Sequence, residues 1–399
     1  MKNELSINAA IAGKVARAKR PTLPGNVKAI VWARAAGRCQ YCNKPLIGDL
    51  VSGNSKLNTA CIAHIVSDSP TGPRGNDIDS PRLTTDPDNL MLMCDPHHRE
   101  IDGVTTWRDY PVERLLAMKQ DHEQRIAIVT AIDSDGACHV VRFAAGIGRN
   151  ESPVAANHIK TALLPERYPA DGGWIDLDVP DLGVPDHDPA YWELHRKLLR
   201  QKFSEKVRGR LERGEIGRLA VFGLAPIPLL VELGRLISDI SDAEVRQLLR
   251  EPKGWSWAAG PGHLALDDRI PQGSGKAVAL KLEVSGLIED SRIVSVLGDD
   301  VPVWALTAAD AHNDIMRSPD DLRLWRQRLR RILEAIKDRH GDAELVHVFP
   351  AIPVSAAVEV GRVWMPKAHV ALRIYDQNRV KGGFLAALDI KHDLGELGR

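Results

Sequence analysis

In Asn89-Leu-Met-Leu-Met-Cys94-Asp-Pro-His97-His98-Arg-Glu-Ile-Asp102 an apolar run ends on a cysteine, and two histidines follow within four residues. Asp95 can cap a helix and Pro96 suits its first position, so a helix is expected to open here. On that helix His97 and His98 point about 100° apart, so that one can face zinc and the other a second metal. Asp102 follows His98 by four residues on the same face, where an imidazole and a carboxylate can hold one divalent ion between them. Far upstream, Cys39-x2-Cys42 supplies a second short-spaced pair to match Cys94-x2-His97. Two such pairs separated by a long insert are how a chain builds a closed tetrahedral zinc site. A closed site leaves no open position, so zinc on Cys39, Cys42, Cys94 and His97 would be structural and its binding would contribute to folding. Between the pairs, Cys61-Ile-Ala-His64-Ile-Val reads as a short strand that presents the His64 imidazole.

The 399 residues favour two or three domains, and 44% hydrophobic with 27% charged residues is a globular composition. Formal net charge is zero, so no global field draws the molecule to nucleic acid. Locally, Met1 to Lys44 carries nine Lys and Arg against a single acid, Glu4, and such a basic arm can neutralise backbone phosphates. The longest apolar run, Leu219 to Val231, is too short to span a bilayer and contains Pro226 and Pro228. The N-terminus lacks a clean apolar core and cleavage site, so no secretion signal is expected. Five cysteines make an odd set that fits cytosolic metal ligands better than a disulfide framework, which points to the cytoplasm and away from a membrane.

Pro111 to Ile132 has apolar positions at helical spacing and reads as a closing helix. The polar break Asp133 to Gly136 then sets the expected boundary between residues 1–132 and 133–399. Beyond it WIDLDV and AVALKLEV read as strands, and AYWELHRKLLRQKF and DDLRLWRQRLRRILEAIKDRH as amphipathic helices, an α/β alternation. The second part contains an internal repeat within 219–237 and 345–364. Phe222-x3-Pro226-x5-Glu232-x-Gly234-Arg235 recurs as Phe349-x3-Pro353-x5-Glu359-x-Gly361-Arg362, at a constant offset of 127 residues. Each copy reads as strand, proline-marked turn and helix, which suggests two similar α/β lobes facing each other.

The order Cys-x2-Cys, Ala-His-Ile, Asn-Leu-x3-Cys-x2-His-His-x3-Asp resembles the HNH nucleases, a ββα-metal fold, over about 65 residues. The resemblance implies that His64 is the general base, Asn89 a positioning or ligand residue, and His98 a ligand of the catalytic ion. Many members carry an acid or histidine just before the base, whereas this chain has Ala63, so a coordination site would fall to Asp102, Asn89 or water. Phosphodiester cleavage needs an activated water, charge stabilisation on the phosphoryl oxygens and help for the departing oxygen. An imidazole base and a divalent ion, Mg2+ or Mn2+, supply these.

Residues 136–399 resemble the SAVED domain, a sensor of cyclic oligonucleotides built from two lobes related to CARF domains. The resemblance rests on WIDLDV, RLAVFGLAPIP, VWALTA and ELVHVFPAIPVSAAVEVGRVWMPKAHVALRIYDQN. HNH followed by SAVED is similar to effector nucleases of bacterial CBASS anti-phage systems. That implies a cyclic di- or trinucleotide activator, self-association on binding it, and double-stranded DNA as substrate. Two helix N-termini meeting at a shared cleft would attract its phosphates. Candidate contacts are Phe222 and Pro226 in one lobe and Phe349, Pro353 and Ser355 in the other. Lys276, in a Gln-Gly-Ser-Gly-Lys turn that is no P-loop, is a further candidate, and Trp255 or Trp257 could stack on bases. Two alternatives stand beside this. One is an HNH restriction-type enzyme whose C-terminal half recognises DNA, though no basic stripe is found there. The other is a zinc-stapled, non-catalytic binding module joined to a ligand sensor.

Overall fold

The apolar run Leu90–Cys94 forms a strand buried along its whole length, and the first part of the chain is assembled on it. The computed structural model describes residues 22–49, 54–146, 154–239, 241–272, 277–341, 343–378 and 380–391. Lys276 and the arm residues Lys2, Lys14, Arg17, Lys19 and Arg20 lie outside the described residues. The chain divides into two units, Met1–Ala131 and Ile132–Arg399. Among the described residues no helix is long and apolar enough to cross a membrane.

In the first unit α1 (Gly25–Arg34) buries Val27 and Val31. Ala36 and Gly37 then turn the chain with left-handed φ values of 50° and 66°, which brings Cys39 back towards the core. Strands β1 (Ala60–His64) and β2 (Leu90–Cys94) pair antiparallel, with Ala60 opposite Cys94 and His64 opposite Leu90. Directly after β2 comes α2 (Asp95–Ile101), and the unit closes with α3 (Val112–Thr130), the helix expected near 111–132. One detail at α2 differs from expectation. Cys94 occupies the cap, and Asp95 is the first helical residue, its carboxylate paired with Arg99 one turn on.

The second unit is a mixed α/β structure of two lobes. In the first, β3 (Ala137–Ala144), β4 (Tyr168–Asp176), β5 (Leu219–Leu224) and β6 (Ala243–Val245) form a parallel sheet in the order β4-β3-β5-β6. The second lobe has β7 (Leu266–Arg269), β8 (Ala277–Glu283), β9 (Val303–Ala308), β10 (Leu345–Ala351), β11 (Leu372–Gln377) and β12 (Phe384–Ile390), in the order β7-β9-β8-β10-β11-β12. Its four central strands are parallel and its two edge strands antiparallel. Both parallel sets thus read second, first, third, fourth strand. WIDLDV is a strand only as far as Asp176. Beyond it Leu177 and Val179 N–H still donate to the Arg142 and Ala144 carbonyls, at 2.8 and 2.9 Å, while the Asp178 carboxylate takes the Ala144 N–H at 2.7 Å.

Helices α4 (Pro189–Phe203) and α6 (Pro319–Arg339) flank the lobes, while α5 (Ile227–Ile237) and α7 (Val354–Val363) follow the third strand of each. Side chains of both lobes share one hydrophobic core. Helices α5 and α7 meet backbone to backbone. A methyl placed on Gly234 would overlap the Val358 carbonyl oxygen, and one on Gly361 would overlap that of Val231. The contact is reciprocal under the 127-residue offset, so the repeat glycines are required by the crossing. Gly361→Ala therefore separates two opposing terms. Helix propensity alone would gain about 1 kcal/mol, whereas overpacking a close contact costs about 1–3 kcal/mol or more. Urea denaturation is expected to show a lowered midpoint for Gly234→Ala and Gly361→Ala; an unchanged or raised midpoint would refute the crossing.

Candidate functional site

The two Cys/His pairs converge. Cys39 is held by its N–H to the Lys44 carbonyl at 2.9 Å and by its carbonyl to the Asn43 N–H at 2.8 Å, a tight knuckle that aims Cys39 and Cys42 the same way. Gln40 fastens this knuckle to β2, exchanging hydrogen bonds with Leu92 at 2.8 Å in each direction. The Cys94 sulfur lies 3.1 Å from His97 Nδ1 and the Cys39 sulfur 3.8 Å from it. One ligand atom from each of Cys39, Cys42, Cys94 and His97 falls within 4.8 Å of all the others. Tyr41 stacks on the His97 ring at 4.1 Å and fixes its plane.

Electrostatics favours a cation at the centre of this cluster. Burial opposes the Cys39 thiolate, but the N–H groups of Cys42, Cys94 and Tyr41, with the His97 ring, outweigh it and bring its pKa down to about 7. Cys94 is pushed up to about 11, by burial first and then by the neighbouring sulfurs of Cys39 and Cys42. Sulfurs that repel one another's charge in a half-buried, tetrahedron-sized cluster fit Zn2+, with no place left for a substrate.

His64 ends β1, half-buried, with Nε2 3.0 Å from the Thr84 carbonyl oxygen. A carbonyl has no proton to give, so this bond puts the ring proton on Nε2 and leaves Nδ1 as an acceptor. Ala63 faces the other side of the strand, 1% exposed in the core, so a charged ligand there would be buried. Asn89 is 5% exposed and spends both ends of its amide on backbone. Its oxygen accepts from Val66 N–H at 2.7 Å, and its nitrogen donates to the carbonyls of Val66 at 2.9 Å and Leu83 at 3.2 Å. These bonds pin the chain leaving His64 and engage both ends of the amide.

His98 on α2 and Asp102 at its C-terminal cap are both half-buried and face each other, His98 Nε2 standing 3.4 Å from Asp102 Oδ2. Burial disfavours the Asp102 carboxylate, but hydrogen bonds from His98 and Arg74 outweigh it and hold its pKa below the ordinary value. A divalent ion that keeps most of its water suits such a sparse donor pair. Arg74 is the residue that sequence reasoning missed. Its side chain is 3% exposed and donates to Asp102 at 2.6 Å, to Ile65 O at 2.5 Å and to Ile101 O at 2.8 Å, with a longer contact to His64 O at 3.5 Å. It sits in Pro-Thr-Gly-Pro-Arg-Gly, a stretch with no periodicity to mark it.

The expected ligand contacts in the second unit are placed differently. Phe222 and Phe349 are fully buried: Phe222 packs edge-on against Trp255 at 5.4 Å, and Phe349 stacks on Tyr375 at 4.4 Å. Trp255 is itself core, and Trp257 lies beneath the Arg246 guanidinium. Ser355 is fully buried, and its N–H and hydroxyl both donate to Gln247 Oε1, at 3.1 and 2.7 Å. The first turn of α7 is therefore occupied by the protein's own amide and is not an open phosphate cradle. Pro226 and Pro353 are half-buried and buried cap residues of α5 and α7.

Residues 199–390, a little under half of the chain, match the family described as the SMODS-associated and fused to various effectors sensor domain, SAVED. No curated protein matches the chain. Solved structures similar to it include the Acinetobacter baumannii Cap4 SAVED/CARF-domain containing receptor with the cyclic trinucleotide 2′3′3′-cAAA, at 10% identity and a TM-score of 0.42. The same receptor with 3′3′3′-cAAA gives 11% and 0.41, and the Moraxella osloensis Cap4 receptor 11% and 0.40. Each likeness covers 70% of this chain, which spans only 56%, 60% and 58% of those receptors respectively.

The cluster has a direct test. Elemental analysis of protein purified without chelators is expected to find about one zinc per chain, and Cys39→Ala or Cys94→Ala to lose it with a lowered melting temperature. Full stability without bound metal would contradict the four-ligand site.

Proposed function

We propose that this chain is a cyclic-oligonucleotide-activated, metal-dependent DNA endonuclease of anti-phage defence, with an HNH nuclease domain in residues 1–132 and a SAVED sensor in 133–399. The observation that carries the nuclease reading is the His64–Thr84 hydrogen bond, because it leaves Nδ1 free to take a proton. In the reaction, His64 Nδ1 accepts a proton from water as the water oxygen attacks phosphorus, and the bond to the 3′ oxygen breaks. His98 and Asp102 would hold the divalent ion, Mg2+ or Mn2+, which when bound supplies Lewis-acid charge to the phosphoryl and departing oxygens. Asn89 holds the loop after His64, and Arg74 ties the His64 end of β1 to Asp102, so base and ligand pair keep their spacing. Cys39, Cys42, Cys94 and His97 would hold zinc, which when bound would fix the knuckle against α2 without taking part in the cleavage.

The sensor half of the reading is supported by the family match over 199–390, whose description is that of a sensor fused to effectors. Such a nuclease site has one set of catalytic groups and cuts one strand at a time. Breaking both strands calls for two modules held close, as self-association provides by raising effective concentration. The activator drives that assembly only if it binds the assembled form more tightly than the free chain.

His64→Ala is expected to lower plasmid cleavage by about 10²–10⁴-fold with zinc content and melting temperature unchanged. Light scattering is expected to show a mass increase with the activating cyclic nucleotide in both proteins. Cleavage by His64→Ala within about tenfold of wild type would remove the base assignment.

A further inference from the structure

The two copies of the repeat differ around the glutamate they share. In the first lobe Glu232 is fully buried and both its oxygens are engaged, by Arg200 at 2.6 Å and by Arg235 at 3.2 Å. Its counterpart Glu359 is 1% exposed, but only one oxygen is paired, with Arg362 at 2.8 Å. The flanking-helix arginine, Arg326, stands back at 3.6 Å from that same oxygen, and the second Glu359 oxygen has no partner. Burial, opposed by Arg362 and Arg326, pushes the Glu359 carboxyl up.

Beside Glu359 lies a cavity of about 250 Å³ between α6 and α7. Arg323, Arg326, Arg330 and Arg362 line it with Asp239, Glu359 and Gln327. Arg323 also pairs with Asp320 at 2.6 Å, and the Arg362 donors are taken by Glu359 and three backbone carbonyls, which leaves Arg326 and Arg330 the less engaged pair. Arg323, Arg326 and Arg330 follow one face of α6 at helical spacing. The Arg330 Nε is buried without a partner, and its outer nitrogen reaches Asp239 only at 4.0 Å. Guanidinium forks in excess of carboxylates, some with unused donors, suit a phosphate. The cavity is open on one side, so it can seat a phosphate group while the rest of a small phosphoester reaches into solvent.

We propose that this cavity is a binding site for a small phosphate monoester, of nucleoside monophosphate size, gripped by Arg323, Arg326 and Arg330 with the Glu359 carboxyl beneath. The proposal rests on the arginine cluster and not on the cyclic-oligonucleotide reading, and stands whether or not such an activator binds.

Calorimetry on the full chain with inorganic phosphate, adenosine 5′-monophosphate and adenosine tests it. Both phosphates are expected to bind and adenosine not to. Arg323→Glu, at an exposed position, and Arg330→Gln should each weaken binding at least about tenfold, the worth of one charge-assisted hydrogen bond. Arg213→Glu, a charge reversal on a different exposed arginine, should leave it unchanged. The proposal is overturned if neither phosphate binds, if adenosine binds as well as its monophosphate, or if Arg213→Glu weakens binding as much as Arg323→Glu.

Discussion

The Arg74 guanidinium lies almost wholly out of solvent and donates to the Ile65 carbonyl just after β1, to the end of α2 and to the Asp102 carboxylate. A guanidinium this deeply buried is tolerated only with its hydrogen bonds in place, so this arginine is a constraint on the whole strand–strand–helix unit. It holds the end of β1 that presents His64 at a fixed distance from the face of α2 that presents His98. The Cys/His cluster does the same from the other end of α2, tying its first turn to the Cys39 knuckle. Between the two ties, a helix of only seven residues has a defined position.

In the second unit the corresponding constraint is the absence of side chains at Gly234 and Gly361. Two helices approach until each glycine faces the other helix's backbone, and the two sheets, with the same strand order, are carried as a pair around that crossing. The pairing is not perfectly symmetric. Glu232 and Glu359 occupy equivalent positions, yet one is closed by two arginines and the other borders a cavity. An internal repeat that has diverged at a buried charge marks a place where the two lobes no longer do the same work.

Much of this was legible in the sequence because metal-ligand spacing and helical periodicity are local. The convergence of Cys39, Cys42, Cys94 and His97, the strand ending on His64, and the His98–Asp102 face all followed from spacing alone. The 127-residue repeat exposed the glycines, though not why they were there. The sequence could not reveal Arg74, whose function comes from carbonyls of separate segments, namely Ile65, Ile101 and Tyr110, meeting around one loop residue. It also misled at Phe222, Phe349 and Ser355. Residues at a turn beside a helix start look available for a ligand, but here aromatic partners and Gln247 had already taken them up. Asn89 was ambiguous for a related reason, since only the folded backbone shows both ends of its amide in use.

The central claim is that one chain couples a His64-based nuclease to a nucleotide sensor. Supercoiled plasmid incubated with the purified full chain and magnesium, across a panel of cyclic di- and trinucleotides, tests it most directly. Little cleavage is expected without nucleotide, and rapid linearisation with one member of the panel. Robust cleavage without any nucleotide, unaltered by every member of the panel, would contradict it.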